Sequence, residues 1–181
     1  EECIAIWEDV LPMYQQVGDL DRAAKLCWEM GYQLIWLGRF ADASAIYARG
    51  TELLGERRSP TRATLVSGTA IVMGVAGFFD EAEGQFADAI EIARECADDR
   101  ALGTVEMQHT VSNLFNARLA DAIESGRASI EHLRRENDLW TLVDALTWTS
   151  LPLEFSGFPR EGRRLAEEAV DRRAAQPRNF N

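Results

Sequence analysis

"GRFADASAIYARG", residues 38–50, and "GFFDEAEGQFADA", residues 77–89, follow one template. Glycine opens each, an aromatic stands two places on (Phe40, Phe79), alanine five on (Ala43, Ala82), and Tyr47 or Phe86 nine on. The same interval taken further reaches Ala117 and Gly157, so the four anchors are spaced by 39, 40 and 40 residues. Small residues keep register with them. Five places after the anchors stand Ala43, Ala82, Ala122 and Gly162; twelve after, Gly50, Ala89, Ser129 and Ala169; seven before, Gly31, Ala70, Thr110 and Ser150. Columns of small side chains at a fixed period mark an internal repeat whose helices approach closely.

Each column has a physical reading. Nineteen places before the anchor, Asp19, Asp98 and Asp138 suit an N-cap, a carboxylate accepting from the free N–H groups of the helix that follows. The second unit has Ser59 and Pro60 instead, a capping hydroxyl with proline at the first helical position. A first helix (A) of about sixteen residues then runs to the anchor turn, and a second (B) opens just beyond it. The expected helices are 20–37 and 40–55, 60–76 and 79–96, 99–116 and 119–136, and 139–156 and 160–175. Residues 1–17, with the helix-breaker Pro12, read as the B helix of an earlier unit. No strand periodicity competes.

Glycine, an aromatic two on, Ala at plus five, Tyr or Phe at plus nine and a small residue at minus seven resemble the tetratricopeptide (TPR) signature. The first two units match it well. In the later units Ala117 replaces the turn glycine, Pro159 the aromatic at plus two, and Gly126 and Ala166 the aromatic at plus nine. The period of about 40 exceeds the usual 34 of TPRs. It is similar to the long repeats of MalT-like LuxR-type regulators and related bacterial signal-transduction ATPases and cyclases. The resemblance implies an all-α, TPR-like α-solenoid of antiparallel helix hairpins with about nine helices. Residues 1–181 then form a single repeat domain: a partial repeat over 1–18 and repeats over 19–58, 59–97, 98–137 and 138–177. The chain starts at Glu1 without methionine and is read as a fragment of a larger protein.

Composition narrows the function classes. Thirty acidic against nineteen basic residues give a net charge of −11, a field that repels polyphosphate and disfavours nucleic acid. Arg160, Arg163, Arg164, Arg172, Arg173 and Arg178 gather near the C-terminus, but Glu161, Glu167, Glu168 and Asp171 are interleaved at helical spacing, which predicts a self-paired face. The most apolar run, residues 65–79, is shorter than the ~20 residues a bilayer span needs, so no membrane is expected as a partner. Cys3, Cys27 and Cys96 are odd in number, far apart and without metal spacing; they read as small core residues of a reducing, cytoplasmic setting.

The same residues offer few catalytic constellations. Glu106-x-x-His109 has the spacing of a carboxylate-bridged dimetal site, but that site needs a second such pair, and the other histidine, His132, does not supply one. Gly74 and Gly77 lie in no phosphate loop, since neither a preceding strand nor a Lys-Ser/Thr pair accompanies them. No nucleophile–base pair is apparent. The expectation is therefore no catalytic residue, no metal and no cofactor.

What remains is aromatic. By analogy with TPRs, the inner face of each helix A carries the residues 13, 10, 6, 3 and 2 places before the turn. Trp28, Tyr32 and Trp36 recur at i, i+4 and i+8 there, one stripe along a helix. Together with Met107, Phe115 and Phe155 they are the candidate contact residues for a partner or effector. The expected function is a non-catalytic protein–protein interaction or sensor scaffold within a larger cytoplasmic bacterial signalling protein. The alternative is a regulatory domain that holds a small effector on its concave face. Partners would be a protein or peptide segment, or neighbouring domains of the parent chain. Self-association through solenoid ends is also expected, because Ile4, Trp7, Val10 and Leu11 form a stripe with no preceding unit to cover it.

Overall fold

The computed structural model describes residues 2–136 and 138–175. Among them lie nine helices and no strand: α1 (Glu2–Gln16), α2 (Leu20–Trp36), α3 (Phe40–Leu54), α4 (Pro60–Val75), α5 (Phe79–Glu95), α6 (Asp99–Phe115), α7 (Leu119–Arg135), α8 (Leu139–Phe155) and α9 (Pro159–Ala174). Every boundary falls within one residue of the expectation, because local chemistry sets both ends. At the starts, Asp19 accepts from the Arg22 N–H, Ser59 from Arg62, Asp98 from Ala101 and Asp138 from Thr141. At the stops, Gly38 takes a positive φ of 72°, and the Arg39 N–H reaches back to the Leu34 carbonyl while that of Gly38 bonds Ile35. This left-handed cap closes the first helix of each hairpin and turns the chain into the second. Ala117 adopts the same conformation at φ 56° despite its Cβ. Arg178 and the end of the last repeat, 176–177, lie outside the described residues.

Prolines lie within several of the helices. Pro12 sits inside α1 without ending it, and Pro152 sits inside α8. Pro159 opens α9 at its first turn, where a missing N–H costs nothing.

The contacts gather into two compact units, Glu1–Ala101 and Leu102–Asn181, where the repeat reading takes 1–181 as one domain. Helix hairpins that pack on sequence neighbours share no central core to merge them. In the first unit α2 packs on α3, α4 on α5, and α4 also touches both α2 and α3. Tyr47 on α3 is the keystone: an added Cβ at Gly31 (α2) or Gly68 (α4) would lie 2.3 or 2.7 Å from its ring. In the second unit the Ser129 hydroxyl donates to the Gly103 carbonyl (2.7 Å), Thr110 and Ser125 share a 3.1 Å hydrogen bond, and α8 packs on both α7 and α9. There Gly126 abuts Thr149, which fills the room an aromatic at plus nine would need. All twelve residues of the three small columns are buried.

The N-terminal stripe is corrected. Ile4 and Leu11 are buried within the unit, with Trp7 packed beside them, since α1 lays that face on α2. The exposed large apolar residues at this end are Ile6 and Met13 of α1 and Val17 just beyond it.

Candidate interaction surface

Trp28, Tyr32 and Trp36 do form one row on α2. The Trp28 and Tyr32 rings stack at 5.7 Å with 13° between planes, and Trp36 meets Tyr32 edge-on at 6.2 Å and 83°. The row is graded in burial. Trp28 and Tyr32 are half-buried, Trp28 lies against the core cluster of Cys27, Leu34 and Leu65, and Trp36 is 56% exposed. Thus Trp28 serves the core as well as the surface. Its indole Nε1 is buried without a hydrogen-bond partner.

The other candidates separate. Met107 is 2% exposed, a core residue of α6, in which residues 101–108 and 110–113 are all buried. Ser67 and Ile71 are buried likewise in α4, which α2 flanks on one side. The α2–α4 contact covers the middle of the α4 column, and α6 and α8 each carry an exposed aromatic at the turn end of theirs. Phe115 and Phe155 are there, 62% and 68% exposed. Both belong to the second unit, where Phe115 contacts Trp148 at 6.4 Å. Trp148 was not among the sequence candidates; nor were Leu37, Phe40, Phe78, Phe79 and Phe158, which are also exposed. The last four flank the anchor turns; Phe40 and Phe79 are signature residues that open helices, and Phe78 and Phe158 sit at the N-caps of α5 and α9.

Burial also perturbs two titratable groups of the first unit. Burial pushes the Cys27 thiol from 9.0 up to about 11, with Arg49 opposing the rise, so it is neutral and a poor nucleophile near pH 7. Burial likewise raises the Tyr47 hydroxyl, with Tyr32 and Glu29 adding to the shift; that hydroxyl is buried without a hydrogen-bond partner. Among the described residues no group of three or more His, Cys, Asp or Glu could hold a metal, and Glu106 is buried within α6. No helix among them is long and apolar enough to cross a membrane.

The C-terminal charges pair differently from expectation. Arg172 bonds Glu168 within α9, but Arg127 and Arg134 of α7 reach Glu161 and Glu168 at 2.9 and 2.8 Å. The i,i+4 pattern hides these partners because helix packing, not sequence spacing, brings α7 to α9. Two depressions along α9, one lined by Arg163, Ala166, Glu167, Val170 and Asp171, are open to solvent.

No family model and no curated protein matches the sequence. Among solved structures, BtubC (BKLC) from P. vanneervenii is similar to this chain at 16% identity and a TM-score of 0.66, over 97% of this chain and 84% of that one. At that identity the likeness shows a shared helical fold and nothing finer.

Proposed function

We propose that this chain is a non-catalytic interaction scaffold, a TPR-like array of helix hairpins in a cytoplasmic bacterial signalling or regulatory protein, which holds a segment of a partner protein. The observation that carries the reading is the α2 aromatic row, rooted in the core at Trp28 and ending on the exposed indole of Trp36. Rigid, partly wetted aromatics are the side chains that binding surfaces enrich, because they add apolar area at little entropic cost. Peptides selected by display against the intact chain provide the test. Trp36→Ala should weaken their binding by about 2 kcal/mol while changing stability by less than about 0.5 kcal/mol. Trp28→Ala should instead cost about 2 kcal/mol of stability, as a half-buried core aromatic. Selected peptides that bind Trp36→Ala unchanged would remove the α2 row as the contact surface.

A second reading, a small effector bound at the same face, draws on a different observation. Trp28 Nε1 and the Tyr47 hydroxyl are buried donors with no acceptor in the protein. An acceptor-bearing small molecule reaching Trp28 Nε1 would satisfy that donor and quench Trp28 fluorescence, and unchanged Trp28 emission across a ligand screen would remove this reading.

A further inference from the structure

The two anchor turns of the first unit carry more exposed apolar surface than packing requires. Trp36, Leu37 and Phe40 flank the α2–α3 turn, and Phe78 and Phe79 the α4–α5 turn; their exposures run from 38% to 57%. These turns lie along one edge of the unit, because α4 packs on α2 and α3 in register, Tyr47 against Gly68 and Gly50 against Leu65. The fold does not demand aromatics at these places. The position of Phe78 is Arg39 and Arg118 in two of the other repeats and Phe158 in the last, and that of Phe40 and Phe79 is Leu119 and Pro159. An exposed apolar row bordered by charge marks a docking site.

The border tells which partner fits. Asp80, Glu81 and Glu83 follow the second turn directly, and residues 63–93 contain no lysine or arginine. Arg39, at the first turn, is held by Asp42 at 2.7 Å. The whole first unit has eighteen acidic against nine basic side chains, so −9 of the chain's −11 resides there. We propose that this edge docks a basic amphipathic segment of a partner protein, its apolar side chains seated on Trp36, Phe40, Phe78 and Phe79 and its Lys or Arg facing Asp80, Glu81 and Glu83. The proposal rests on the scaffold reading, yet shares only Trp36 with the α2 row.

The test uses the intact chain and three labelled helical probe peptides of about 18 residues, with leucine on one face and Lys, Gln or Glu on the other. Fluorescence anisotropy should show the Leu/Lys peptide binding best. Phe78→Ser should weaken it at least about ten-fold, and so should Asp80→Asn/Glu81→Gln/Glu83→Gln, which should also flatten its salt dependence. Val170→Ser, exposed on α9 and part of neither surface, should leave it within about two-fold. Equal binding of the Leu/Gln or Leu/Glu peptide overturns the proposal, as does Leu/Lys binding that Phe78→Ser does not change. Binding that falls with Tyr32→Ala and not with Phe78→Ser overturns the edge while the scaffold reading stands. If circular dichroism shows Phe78→Ser to be misfolded, benzoyl-phenylalanine placed at 78 decides: a photo-adduct with the Leu/Lys peptide supports the edge, and its absence overturns it.

Discussion

Tyr47 is held between Gly31 and Gly68, and its equivalent one repeat later is Phe86, also fully buried. The ring therefore sets helix spacing, while the hydroxyl, buried without a hydrogen-bond partner, does not contribute to packing. Two outcomes follow for urea unfolding. Gly31→Ala should destabilise by about 2 kcal/mol, since its methyl would overlap a ring that has no room to move. Tyr47→Phe should be neutral or stabilising by up to about 1 kcal/mol, because it removes an unsatisfied buried polar atom. A large loss in Tyr47→Phe would mean that the hydroxyl has an acceptor the packing argument misses. Ala117 is the complementary case, an L-residue held at φ 56° where three other anchors are glycine. Ala117→Gly should raise stability by about 1 kcal/mol, since relief of left-handed strain exceeds the added unfolded-state freedom. An unchanged urea midpoint would remove that strain as a cost.

Helices differ in how far their sequences announce their surroundings. The stripe of α1 was legible as apolar, but not the direction it faces. Ile4 and Leu11 turn inward, leaving Ile6, Met13 and Val17 exposed. If that exposed row mediates self-association, Met13→Glu should shift sedimentation toward monomer without changing the circular dichroism. A wild-type chain that is already monomeric at high concentration would remove the role. On α6, Thr104, Glu106, Gln108, Thr110, Ser112 and Asn113 are all buried. Such a polar sequence predicts an exposed face by periodicity. Tertiary neighbours override that pattern, which is why Met107 was placed on a surface it does not occupy.

Charge and titration distinguish the two units. The first holds most of the negative charge, together with Cys27 and Tyr47, whose pKa values burial raises. For a group that is neutral when protonated, a raised folded pKa means that the folded chain keeps its proton after the unfolded chain has released it. Stability is thus intact below the unfolded value and falls as pH rises through the folded one. For Cys27 the loss runs from about pH 9 to about pH 11, and Tyr47 extends it above pH 10. Hydrogen exchange at pH 8 and pH 10.5, corrected for intrinsic rates, should show protection within 1–101 declining. Cys27→Ser and Tyr47→Phe together should reduce that decline, and an undiminished decline in the double variant would point to other groups.

Period, caps and turns are local properties, set by residues within a few places of each other, and so Asp19, Ser59, Gly38 and the small columns determined nine helices nearly to the residue. The aromatic row of α2 was equally legible, because i and i+4 side chains meet on any helix. Which members of a row meet solvent was not. Trp28 and Trp36 share a helix face, yet one lies on the core cluster and the other stands clear of it. Exposure of Phe78 and Phe79, the α7–α9 ion pairs and the burial of α6 depend likewise on which helix lies alongside. The α7–α9 pairs join residues 34 positions apart, beyond the reach of any helical period, and only tertiary packing decides such contacts.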